Sequence, residues 1–263
     1  MIYRGPNTAH GRGTASTDGD YLLEIWGQSN AIGRADRTDI SASPLTADSE
    51  LATYDAGTFS RVFIWNGSTF VNLQPSVNNQ CDAGQFGVEF GFAVRWMRER
   101  AGNLYITQKE AFSGASITYF DTTNWIYDAM ITHTLAAMSW LTSNGVTLSG
   151  RGWAWIQGET DDTQIQSWYQ TRLETLIDKR TTDGVQDSAT KRVLVQMATG
   201  SAQYGSGVAD AKTAVAAASP SNTYAISAPL YMKADNLHQN GRGQVQMAYD
   251  VYETLFSASH IAT

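Results

Sequence analysis

The sequence predicts an α/β fold, a doubly wound parallel sheet with helices on both faces. Two observations carry this. After residue 20, short apolar runs alternate with stretches of helical spacing, the order that builds a parallel sheet through helical crossovers. The apolar runs are also nearly continuous, as strands covered on both faces must be.

The elements follow in order. Residues 21–26 (YLLEIW) form an apolar run that ends at Gly27 and reads as a buried first strand. A long irregular stretch comes next. Inside it, 62–65 and 70–73 flank Asn66-Gly67, the turn signal of a hairpin. Residues 86–101 carry apolar side chains at 90, 93, 94 and 97, a helical spacing, and Gly102 stops the helix. Residues 104–111 read as the second main strand. Residues 125–141 read as a helix closed by Asn144-Gly145. A third strand at 152–156 (GWAWI), a helix at 165–177 and a fourth strand at 193–198 (VLVQMA) follow. An alanine-rich helix at 208–218 ends near Pro220, a fifth strand spans 224–228, and a last helix spans 243–256. The main sheet is thus expected to have five strands.

No linker, low-complexity tract or long repeat divides the 263 residues. We expect a polar N-terminal extension over 1–20 and a single domain over 21–263. The net charge of -7 makes nucleic acid and anionic lipid poor partners, because both need basic patches. Gly11-Arg12-Gly13 and Gly241-Arg242-Gly243 are isolated and read as turns with a solvated arginine. No apolar stretch approaches the ~18 residues that span a bilayer, so no membrane partner is expected. The first 20 residues lack the basic-then-apolar pattern of a secretory signal. Cys81 is alone, so no intrachain disulfide is expected. Scarce lysine with plentiful Ser, Thr, Asn, Gln and Gly is similar to extracellular or virion-surface composition and leaves the compartment open.

Ligands of doubly wound sheets bind at the carboxyl ends of the strands, so the residues just after each strand matter most. Ser29 follows the first strand in GQSN. A serine there is ordinarily a cap or turn residue. It becomes a nucleophile only if a base takes its proton. The surroundings are not G-x-S-x-G, which disfavours the α/β-hydrolase fold. Asp235 and His238 follow the fifth strand in DNLH, a spacing at which one turn can bring the carboxylate to the imidazole and fix its tautomer. Gln157, in QGETD after the third strand, offers an amide to an oxyanion. Thr160 or Asp161 beside it could cap the next helix. Gly114, in SGAS after the second strand, offers an unobstructed backbone N–H. His10, His133 and His260 share no ligand spacing with one another or with His238. No metal or other cofactor is therefore expected.

Several blocks then resemble one family, in family order and over about residues 20 to 256. These are GQSNAIG (27–33), FGVEFGFAVRWM (86–97), KEAFSGASI (109–117), WIQGETD (155–161) and DNLH (235–238). The chain is similar to the sialate O-acetylesterase and acetylxylan-esterase branch (carbohydrate esterase family 6-like) of the SGNH hydrolases. Three positions depart from the family pattern: Ala31 for Met, Val88 for Pro, and Ser113 for the first of two glycines. The resemblance implies a flavodoxin-like three-layer α/β/α sandwich with a metal-free triad of Ser29, His238 and Asp235. It implies an oxyanion hole from the N–H groups of Ser29 and Gly114 and the Gln157 amide. The expected substrate is an acetylated oligosaccharide or polysaccharide, with Tyr119, Trp125 and Trp168 as candidate stacking residues. Two rivals remain at this level. One is a lipid esterase or thioesterase on the same fold. The other is a carbohydrate-binding virion module without catalysis, which would not need all three triad residues.

Overall fold

The computed structural model describes residues 19–42, 45–77, 84–107, 112–121 and 124–256. Cys81, His10, His260, almost all of the N-terminal extension and the last four residues of the second expected strand lie outside them. In chain order the elements are β1 (Asp20–Gly27), α1 (Ser29–Ile32), β2 (Ala35–Asp36), α2 (Asp48–Asp55), β3 (Val62–Trp65), β4 (Phe70–Asn72), β5 (Gln85–Phe86) and α3 (Val88–Glu99). There follow β6 (Leu104–Thr107), α4 (Trp125–Ser143), β7 (Leu148–Ile156), α5 (Gln166–Thr182), β8 (Lys191–Gln196), α6 (Ser206–Ala218), β9 (Thr223–Ser227) and α7 (Gly241–Phe256).

The sheet runs β4-β3-β6-β1-β7-β8-β9. Six neighbouring strands are parallel, and only β4 runs antiparallel, at the edge. The count of five expected from sequence is therefore corrected to seven among the described residues. The hairpin around Asn66-Gly67 forms as expected, but its first strand adds to the main sheet by pairing Val62 with Leu104 and Ile64 with Ile106. The β6-β1-β7-β8-β9 portion keeps the flavodoxin-like order.

Side chains alternate between two apolar layers. Tyr21, Leu23 and Ile25 of β1 pack with Phe90, Phe92 and Val94 of α3 and Val245, Ala248 and Val251 of α7. Trp26 of β1, with Trp153 and Trp155 of β7, packs with Met130 of α4, Tyr169 and Leu173 of α5 and Val208 of α6. This gives helix, sheet and helix layers. Asn124 caps α4 by accepting the Ile126 N–H (3.2 Å), and Asn144-Gly145 closes it, with Gly145 at φ +73°. Within the second layer, Arg180 pairs with Glu24 at 2.8 Å, both fully buried, and its guanidinium lies 3.9 Å from the centre of the Trp26 ring. Two buried charges so placed need each other, because removing either leaves the other without compensation. Among the described residues, no helix is long and apolar enough to cross a membrane.

Candidate active site

Parallel strands bring the turns after β1, β6, β7 and β9 to one end of the sheet. The turn after β1 is tight. Gly27 has φ +144°, and a Cβ there would lie 1.9 Å from the Ile156 carbonyl oxygen, so only glycine lets β1 end against β7. The Gln28 N–H donates to that carbonyl (3.0 Å). Its side-chain oxygen accepts the N–H groups of Gly158 (3.3 Å) and Thr160 (3.4 Å). Ser29 opens α1, 4% exposed. Its hydroxyl and N–H have no hydrogen-bond partner among the described residues.

Asp235 and His238 sit on the segment between β9 and α7. Its two limbs are tied by a bridge between Met232 and Gln239 and by the Asn240 N–H donating to the Tyr231 carbonyl (2.9 Å). Asn236 turns the chain at φ +53°, a conformation asparagine tolerates better than most residues. Asp235 Oδ2 meets His238 Nδ1 at 2.7 Å, while Oδ1 accepts the N–H groups of Leu237 and His238, each at 2.9 Å. Burial pushes the Asp235 carboxyl up, but the hydrogen bonds from His238 and Leu237 outweigh it and hold it down at about 2. The His238 Nε2 is left free among the described residues.

Asn30, next to Ser29, joins these two loops. Its side-chain oxygen accepts the Gln239 N–H (3.0 Å), and its amide donates to the Leu237 carbonyl (3.3 Å). Both residues flanking His238 are thus bonded to the residue that follows Ser29. The same Asn30 amide donates to Glu159 Oε1 at 2.6 Å, and the Asn30 carbonyl accepts from Gln244 of α7 (3.2 Å). From sequence, Asn30 is a candidate brace of the nucleophile loop and Glu159 either a hydrogen-bond partner across to that loop or a solvent-facing residue, with no direct chemistry assigned to either. Here Glu159, 5% exposed, is the anchor of that junction.

In the turn after β7, Asp161 and Gln157 both bond to other elements. Asp161 does not cap α5, whose N-cap is Ile165. Its carboxylate accepts from Ser116 Oγ (2.7 Å), the Ile117 N–H (2.8 Å) and Gln157 Nε2 (2.7 Å). Gln157, expected as an oxyanion donor, has its other amide N–H on the Ala115 carbonyl (3.1 Å). The Trp155 indole donates to Tyr169 OH (3.1 Å), so the phenol must donate onward to Gln157 Oε1 (2.5 Å), which fixes the amide's orientation. One N–H of Gln157 thus holds the loop after β6 directly, and the other holds it through Asp161. Gly114 lies on that loop, exposed, at φ +70°, with nothing within 4 Å of where a Cβ would stand. Its N–H has no partner among the described residues. The loop is moored to β1 by the Phe112 N–H, which donates to the Gly27 carbonyl (3.0 Å).

Sequence reading missed Lys212, which is fully buried on α6 and donates to the carbonyls of Gln157 and Val195. The signal was present, because 208, 211, 212 and 215 form one helical stripe and lysine interrupts its apolar character. His133, on α4, packs against Trp65. No group of three His, Cys, Asp or Glu side chains that could hold a metal occurs among the described residues.

Residues 21–257 match the family described as carbohydrate esterase, sialic acid-specific acetylesterase. No curated protein matches. Among solved structures, a protein of Arabidopsis thaliana is similar at 20% identity and a TM-score of 0.66, covering 91% of this chain and 99% of its own. A carbohydrate acetylesterase from Xanthomonas citri is similar at 15% identity and a TM-score of 0.59, and 89% of this chain aligns with 54% of that one. NanS is similar at 14% identity and a TM-score of 0.51, covering 91% of this chain and 99% of its own. At these identities the structures establish the shared fold, a three-layer α/β/α sandwich. The family match spans nearly the whole chain, and the chain belongs to the carbohydrate esterase, sialic acid-specific acetylesterase family.

Proposed function

We propose that the protein is a serine esterase that removes O-acetyl groups from a carbohydrate, with Ser29 as nucleophile, His238 as base and Asp235 as its orienting carboxylate. The observation that carries this reading is the Asp235–His238 pair, bonded at 2.7 Å and docked through Asn30 onto the turn that presents Ser29. His238 Nε2 takes the Ser29 proton as Oγ attacks the ester carbonyl. The oxyanion is held by the N–H groups of Ser29 and Gly114. His238 then protonates the departing sugar oxygen, and water, deprotonated by the same ring, releases acetate from Ser29. The serine–histidine hydrogen bond of such sites commonly tightens only with substrate in place. Trp125, 65% exposed, stands edge-on to Phe112, with ring centroids 5.3 Å apart. Its place beside the Gly114 loop suits an aromatic platform for a sugar ring.

Two measurements test the reading. Aryl esters of increasing chain length should be hydrolysed with kcat/KM highest for acetyl, and acetate should be released from an acetylated polysaccharide. A kcat/KM that climbs towards octanoyl would make the protein a lipid esterase instead. Gln157→Ala should separate a donor from a brace. It leaves Ala115, Asp161 and Tyr169 short of a partner, at about 1–3 kcal/mol for each buried group. The melting temperature should therefore fall by several degrees. A kcat loss of about 10²–10³ at unchanged melting temperature would return Gln157 to the oxyanion hole.

A further inference from the structure

We propose that Lys212 is the counter-cation of this site, a positioning residue whose ammonium holds the turn after β7 and offsets the two buried carboxylates, Glu159 and Asp161, so that they brace the catalytic loops without opposing an oxyanion. The proposal rests on the esterase reading for its kinetic consequences and on the geometry alone for its electrostatic ones.

Glu159 and Asp161 are 5% and 2% exposed, and every hydrogen-bond partner they have among the described residues is neutral: Asn30 for the first, and Ser116, Ile117 and Gln157 for the second. Glu159 fixes the residue that joins the Ser29 and His238 turns. Asp161 fixes the loop that bears Gly114. Their two negative charges sit where an acyl-transfer site develops a third. Unbalanced, they would raise the cost of the transition state, because charges interact strongly at low local dielectric. Lys212 comes from below, on α6. Its ammonium donates to the Gln157 carbonyl and to the Val195 carbonyl (2.6 Å), and a Cβ on Gly158 would stand 3.4 Å from it. The charged or titratable groups facing it are Glu159 and Asp161 from the turn after β7, and Tyr169 from α5, whose ring centre lies 5.9 Å away. Burial pushes its ammonium down to about 8, against the upward pull of the two carboxylates. The charge is therefore present at neutral pH and is lost as the pH rises through about 8.

The test compares wild type with Lys212→Met, whose side chain has similar length and no charge. On an aryl acetate, the variant should lose at least about tenfold in kcat with KM little changed. The wild-type decline in kcat above about pH 8 should be absent from it. The second readout needs no activity. With its ammonium held at about 8, the folded wild type binds fewer protons than the unfolded chain between about pH 8 and 10, a difference that Lys212→Met lacks. The wild type should therefore gain melting temperature relative to the variant across that window, and Glu159→Gln, which removes one of the two carboxylates that pull the ammonium up, should move the onset of that gain to lower pH. If Lys212→Met does not fold, Glu159→Gln/Lys212→Met decides. Recovery of folding supports the proposal, and failure overturns it. A gap that is equal at every pH, or a kcat loss that is equal at every pH, assigns Lys212 to packing and overturns the proposal. A wild type without esterase activity would sink the esterase reading alone, and the melting-temperature series would still judge Lys212.

Discussion

Ser29→Ala is expected to lower esterase turnover by about 10⁴–10⁶ while leaving the fold unchanged. The two halves of that expectation come from different facts. The rate falls because Ser29 is the proposed nucleophile, at the head of α1 beside the loop that carries His238. The fold persists because the Ser29 hydroxyl makes no hydrogen bond among the described residues. The bonds that assemble the site run through Gln28, Asn30, Glu159 and Asp161 instead. Alanine therefore removes one oxygen atom and orphans no buried partner, and the melting temperature should stay within about 2 °C. The check is a burst and steady-state assay on an aryl acetate, with a melting curve on the same sample. A folded Ser29→Ala protein that turns over near the wild-type rate would end the triad proposal. A large fall in melting temperature would instead show that the hydroxyl has a structural partner.

The sheet was legible because each of its central strands is buried on both faces and so is written as an apolar run. In β1 the alternation of Tyr21, Leu23 and Ile25 with Leu22 and Trp26 feeds two different helix layers. The joining of β3 to β6 was not legible. Asn66-Gly67 specifies a hairpin locally, but which edge that hairpin extends is decided by contacts between residues some forty positions apart. The same division runs through the site. Ser29, Asp235 and His238 could be proposed because chain position after a strand is a local property, as is the three-residue spacing in DNLH. For Gln157 the resemblance implied an oxyanion donor, but the partners of its amide could not be read. Which groups its amide meets depends on Ala115 and Tyr169, which belong to other elements. Asp161 was misread for a related reason. A carboxylate ahead of a helix is usually a cap, and only the fold shows that it reaches back to Ser116 and Ile117.

Asp235→Asn should reduce kcat by about 10⁴ with the loop still in place. The asparagine oxygen can keep the acceptor position now filled by Oδ1, which receives the N–H groups of Leu237 and His238 at 2.9 Å. The turn is then preserved. At the other position an NH₂ group replaces Oδ2 and donates to His238 Nδ1, across the contact that is now 2.7 Å. The ring proton is driven to Nε2, the nitrogen that must accept from Ser29, and the base is lost without being moved. Asp235→Ala removes both kinds of contact and should cost melting temperature as well as rate, which separates orientation from loop stability. The acid side gives an independent check. The Asp235 carboxyl is held down at about 2, against 3.8 for the free side chain. Its contribution to stability is full above about pH 4 and disappears as the pH falls through about 2. Any loss of wild-type turnover between pH 4 and 6 must then come from a group other than Asp235. If Asp235→Asn retained wild-type kcat, or if wild-type turnover fell in step with protonation of Asp235 near pH 4, the carboxylate would not be the orienting member of the site.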